Sequence, residues 1–293
     1  MVIAMAFLVP LLVAVAYLVN QQNGSINVAQ QELAGTAYLR SLSALTLDLI
    51  QYRSVSTEIA HGAQVAPQQI AALQSAVDGD FTQLKGTDPS LQRRLDEALT
   101  TAGKGQLVFA GLIGQWQEVK AVGPDDALAT GFTQQLVGNQ LSLYSYVGDV
   151  SKINLDPQPD TFYIGSALSA LEPPLVNQIS SLGDTVGIAA QTRHPADTDG
   201  LIQASGLLSQ QLGQLNDALN RAFDATPAHN NDTDLSPALA PLLDQVSTTA
   251  NGLIGIADQQ ISGGSALTLA GVQGGTGVSP GSWTPVVMRQ RPA

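Results

Sequence analysis

The chain contains no cysteine. That excludes disulfide staples, thiolate metal sites and thiol nucleophiles, so the fold must be held by packing alone. Aromatic residues make up only 5% of its 293 residues, a supply that suits slender helices in close approach better than a sandwich core. Basic residues are few as well. Twelve Lys and Arg face 24 Asp and Glu, giving a net charge of −12 with no basic run. This argues against nucleic acid as a partner, because affinity for phosphates comes mainly from clustered Lys and Arg. His61, His194 and His229 fall near helix ends or in loops without H-E-x-x-H or other paired-ligand spacing, so no metal site is expected. No P-loop occurs. Gly274, Gly275, Gly277 and Gly281 have neither a preceding strand nor a following helix, so they make no dinucleotide fingerprint. Neither an enzyme nor a cofactor is expected.

What is present is apolar and periodic. Met1–Val19 is an almost unbroken apolar run, and the first charged residue is Glu32. Nineteen residues at about 1.5 Å each span roughly 30 Å, the thickness of a bilayer core, so residues 1–20 are expected to anchor the chain as a transmembrane helix. A cleaved signal peptide is the rival, since Ala14-Val15-Ala16 has the small-x-small form, but a basic n-region is missing.

The body, residues 21–262, reads as helix after helix. Tyr38, Leu42, Leu45, Leu49 and Tyr52 recur at spacings of four and three, a stripe that faces a partner helix. His61-Gly62 closes that helix and Pro67 opens the next, carrying Ile70, Leu73, Val77, Phe81 and Leu84. Asp88-Pro89 supplies an N-cap and N1 pair. The segment from Ser90 to Val122 is expected to weaken at Gly103 and Gly105. Asp125–Ile153 reads as one helix, with Asn139 a polar exception on its apolar face that would set register or contact a ligand. Residues 154–160 form a hinge, at which Asp160 is expected to cap the following helix and Pro173-Pro174 to bend it. Stripes at Leu208–Phe223 and after Ser236-Pro237 complete six or seven antiparallel helices. Residues 263–293, rich in glycine and without acids, read as a flexible tail.

Two words in this body carry a resemblance. LDPQPDTFY (Leu155–Tyr163), followed by a leucine-rich helix containing proline, is similar to the LDPDPDSYYLMD word of the periplasmic helical sensor domains of methyl-accepting chemotaxis receptors and related histidine kinases and diguanylate cyclases. Leu155, Asp156, Pro157, Pro159, Asp160 and Tyr163 match. QELAGTAYL (Gln31–Leu39) and QYRSVS (Gln51–Ser56) resemble the first ectodomain helix of the same receptors, with Arg53 in place of its arginine and Tyr52 and Ser54 replacing a histidine and a glycine.

The resemblance implies an all-α fold: a long antiparallel helical bundle, or two stacked four-helix bundles, behind an N-terminal transmembrane helix in the inner membrane, with the body in the periplasm. It also implies a homodimer and a ligand-sensing function. A small-molecule ligand, an organic anion if the cations hold it, would meet Arg53, Tyr52, Lys152 and Tyr163. Arg53 reads equally as a salt bridge inside the bundle. No second apolar run of about 18 residues and no signalling module follows the body, so the expectation is a sensor without its output in this chain. A membrane-anchored, exported helical structural or interaction domain is the alternative, for which the same periodicity serves packing alone.

Overall fold

The computed structural model describes the backbone of residues 2–155, 158–192, 198–229 and 235–262, and the side chains of these from residue 27 onward except 190–192 and 227–229. The fold is all-α, and no strand occurs among the described residues. Helix α1 (Val2–Ala60) runs for 59 residues. It is followed by α2 (Pro67–Thr87), α3 (Pro89–Thr101), α4 (Phe109–Val122), α5 (Pro124–Ala129) and α6 (Phe132–Ser151). The second part comprises α7 (Pro159–Ser166), a π-helical turn (Ala167–Leu171), α8 (Glu172–Thr192), α9 (Thr198–His229) and α10 (Leu235–Ile261).

The breaks follow backbone chemistry. Gly62 ends α1 with φ 89°, a left-handed conformation that costs glycine nothing. Asp88 caps α3 as expected: its carboxylate accepts from the amides of Ser90 and Leu91, both at 2.8 Å. These bonds hold its carboxyl below the usual carboxylate range, Leu91 first. The Ser90–Val122 segment is two helices, since Gly103 turns left-handed at φ 68° and a 3-10 turn at Gly105–Leu107 intervenes. Asp125–Ile153 is likewise not one helix. Gly131, at φ 76°, separates α5 from α6, a break that the apolar spacing across it concealed.

One expectation at the hinge is corrected. The N-cap of α7 is Gln158, with Pro159 at N1 and Asp160 buried inside the first turn. Pro173 and Pro174 lack the N–H groups that an α-ladder would send back one turn, and the π turn lies in that preceding stretch, where it accommodates the mismatch. Asp156 and Pro157, the other hinge residues of the word, lie outside the described residues, as do the tail 263–293 and the side chains of Met1–Val19. Among the residues searched, no helix is long and apolar enough to cross a membrane.

Contact pairs fix how the helices run. Ser41 meets Thr87 and Tyr52 lies near Gln74, so α2 is antiparallel to α1. Gly35 faces Ser151 while Leu42 and Thr46 face Gln140, so α6 is antiparallel to α1 too. Buried apolar side chains form two cores. The first gathers α1 to α6 around Tyr38, Leu45, Tyr52, Phe81, Trp116 and Tyr144, where Tyr52 and Trp116 meet edge to face at 5.1 Å. The second is aliphatic: Leu175, Ile179, Leu182 and Val186 of α8 meet Leu201, Leu208 and Leu212 of α9 and Leu253 and Ile256 of α10.

Candidate functional site

Helix α8 is the wall between the cores, with its aliphatic face in the second and its polar face on α1. That polar face carries Asn177, Ser180 and Asp184 at successive turns, which places them in one row. Opposite them on α1 stand Arg53, Ser54 and, one turn on, Glu58.

Among the described residues Arg53 is the basic side chain buried in the interior, at 8% exposure. Its guanidinium donates to Asn177 Oδ1 and, at 3.2 Å, to Ser180 Oγ. Its ion pair with Asp184 is looser, at 3.7 Å. A charge-assisted bond would lie near 2.8 Å, so neutral oxygens carry most of the arginine's hydrogen bonding. Ser54 Oγ donates to Asp184 Oδ2 at 3.0 Å and meets Ser180 Oγ at 3.1 Å. Burial pushes the Asp184 carboxyl up to about 6 despite the opposing pull of Arg53 and Ser54, and the charge of Glu58 adds to the rise. Glu58 is itself raised by burial, and Arg53 is lowered by the same cause.

Glu172 lies earlier on α8 and off that row, since five residues turn the helix by about 140° from Asn177, and it faces α6. It is partly exposed as a residue, yet its carboxyl sits in surroundings dry enough to raise it to about 7. Its charge is felt by Tyr144 of α6, whose hydroxyl meets Thr46 Oγ1 at 2.6 Å and Ser43 Oγ at 3.2 Å. Thus residue 172 is level with Thr46 and residues 177 to 184 with Arg53 to Glu58, and α8 runs parallel to α1. The polar seam extends over about 10 Å, the seven residues from Asn177 to Asp184 at the helical rise.

The four residues singled out in the sequence do not share a site. Tyr52 is adjacent to Arg53 in sequence but faces the other way, 1% exposed against Trp116 and Gln74, within the first core. Lys152 is exposed and caps the end of α6 in a left-handed conformation, φ 71°. Tyr163 lies on α7, its ring against Phe162 at 5.4 Å and under the Arg221 guanidinium of α9 at 5.8 Å. Lys152 and Tyr163 belong to the hinge end, near Gly35. At the helical rise that is roughly 27 Å from Arg53 along α1. Asn139 donates to Gln115 Oε1 of α4 at 2.7 Å, a bond between two helices on a partly exposed face. The fully buried amide is its neighbour Gln140, which donates to the Leu42 carbonyl at 3.1 Å and to Thr46.

At the hinge end three glycines permit close contact. A Cβ on Gly165 would lie 2.6 Å from Ile153 Cγ2, and Cβ atoms on Gly35 and Gly148 would overlap Ser151 and Asn154. Asn154 joins the parts, donating to Asp149 at 3.1 Å and accepting from Ser169 at 2.8 Å. A separate groove of about 700 Å³ opens at α2 and α3, lined by Lys85, Gln92, Arg93, Asp96 and Glu97 among others. Its charges are mixed, and Asp96 is already engaged by Gln92 and the Phe109 amide.

No cluster of three or more His, Asp or Glu that could hold a metal occurs among the described residues. Compared with known proteins, the chain matches no family model, no curated protein and no solved structure.

Proposed function

We propose that the chain is the extracytoplasmic sensing domain of a bacterial transmembrane receptor of the chemoreceptor or sensor-kinase type. In this reading residues 1–20 hold it in the inner membrane, its body lies in the periplasm as a homodimer, and its two cores are helical bundles side by side that share α8. It binds its input rather than transforming it.

The observation that carries the reading is the α1–α8 seam. Interdigitated apolar side chains resist sliding because every shift opens voids. Contacts among hydroxyls, amides and carboxyls exchange partners at small cost, so α8 can shift against α1 between discrete arrangements. An input that favours one arrangement shifts the population by its differential affinity. Helix α1 continues from the seam into the apolar N-terminal run, which gives the displacement a continuous path toward the membrane.

A thermal-shift screen of the full chain against organic acids, amino acids and amines tests the reading. A stabilising compound is expected, with its effect lost in Arg53→Ala and partly restored in Arg53→Lys. A broad panel without a hit, or a hit indifferent to Arg53, overturns small-molecule sensing at the seam.

A further inference from the structure

The groove of about 700 Å³ at α2 and α3 is a second place where a small molecule fits, apart from the seam. Gln92, which lines it, meets Tyr38, and Tyr38 stands fifteen residues before Arg53, roughly 22 Å from it along α1. Two rows of α3 form one wall, with Gln92 and Asp96 in the first and Arg93 and Glu97 in the second. Lys85, in the last turn of α2, adds another cation.

The first row is fixed from beneath. Tyr38 Oη, on a side chain of α1 with no exposure, donates to Gln92 Oε1 at 2.8 Å. Gln92 Nε2 in turn donates to Asp96 Oδ1 at 2.9 Å, and the Phe109 amide donates to the same oxygen at 3.2 Å. Asp96 is thereby oriented through one oxygen, and its Oδ2 has no hydrogen bond among the described residues. The second row is uncommitted. Lys85, Arg93 and the Glu97 carboxylate make no ion pair or side-chain hydrogen bond among the described residues. Arg93 and Glu97 are four residues apart, but the arginine comes first, which is the weaker order on a helix, and they do not pair. These charges of both signs serve no contact within the fold.

We propose that the groove binds a small zwitterion, its carboxylate against Lys85 and Arg93 and its ammonium against Asp96 and Glu97. Along α3 the cation of Arg93 and the two carboxylates are offset by one helical turn, about 5 Å. On standard bond lengths the nitrogen of an extended γ-amino acid lies about 5 Å from its carboxyl carbon, and that of an α-amino acid about 2.5 Å, so the spacing selects the γ form. Each ligand charge meets an opposite one already aimed at it, which lowers the cost of ordering the site. Occupancy braces Asp96 and Gln92 against Tyr38 and so ties α3 to the helix that carries the seam.

Isothermal titration of the full chain in detergent micelles with γ-aminobutyrate, glycine, butyrate and butylamine is the test. γ-Aminobutyrate should bind about tenfold or more tightly than glycine and than either analogue with a single charge, since each of these leaves a charge-assisted contact unmade. Arg93→Ala and Glu97→Gln, both at exposed positions, should each weaken that binding by about tenfold, while Arg53→Ala leaves it unchanged. Absence of γ-aminobutyrate binding up to about 10 mM, equal affinity for glycine, or indifference to both groove variants overturns the zwitterion site. Binding that is lost in Arg53→Ala and untouched in Arg93→Ala also overturns it, and places the ligand at the seam instead. Binding that needs Arg93 and ignores Arg53 supports the groove and counts against the seam as the place where a small molecule is sensed.

Discussion

The two cores are built from different material. The first packs a tryptophan, three tyrosines and a phenylalanine among its leucines, each large ring fixed by edge contacts or a polar tip such as Tyr38 Oη to Gln92 at 2.8 Å. The apolar cluster of the second is aliphatic, with Phe223 at its margin. Aromatic rings bury more area per residue and accept fewer rotamers, so the first core is the better specified and the second the more easily repacked. The difference fits a division of labour in which α1 to α6 form the frame and α8 to α10 the part that yields.

The most severe way to break the comparison is Trp116→Ala. It removes the largest fully buried side chain, and a loss of about 3–5 kcal/mol is expected. Urea melts followed by far-UV circular dichroism should then show two transitions, the earlier one belonging to the first core. A single transition would mean that the cores unfold as one unit. Leu182→Ala, in the second core, should cost about 3 kcal/mol, toward the low end for leucine truncation, because aliphatic neighbours can collapse into the space. A loss equal to that of Trp116→Ala would remove the distinction in specification. Gly165→Ala, where the extra methyl meets Ile153, should cost about 1–3 kcal/mol by overpacking. A neutral result would show that the hinge can spread. Asp88→Ala should lose about 1 kcal/mol with its cap, uniformly across pH 5–8 because that carboxyl stays ionised there. A pH dependence in this variant's loss would blur the contrast with Asp184.

Much of the frame was legible in the sequence because it is local. The Tyr38 to Tyr52 stripe is wholly buried as spaced, and Pro67, Asp88 and Pro89 stand at helix starts. The break at Gly131 was hidden because a short helix can continue the apolar rhythm of its neighbour across one left-handed residue. Gln140 was missed for Asn139 because α6 packs against both α1 and α4, so its buried face is broader than one stripe. The seam was legible only from one side. Arg53 stood out through the QYRSVS word, whereas Asn177, Ser180 and Asp184 look like an ordinary solvated row until α1, more than a hundred residues earlier, is laid against them.

The three glycines at the hinge have a mechanical consequence. They bring Ser151 and Ile153 within touching distance of α1, Ile153 of α7 and Asn154 of α6, so the chain is pinned there at a point with little slack. A pinned point at one end of a parallel pair acts as a fulcrum. With a lever arm of roughly 27 Å from Gly35 to Arg53, a rotation of about 5° moves Asp184 by about 2 Å relative to its partners. That is enough to break the 3.0 Å bond from Ser54 while leaving the fulcrum packed.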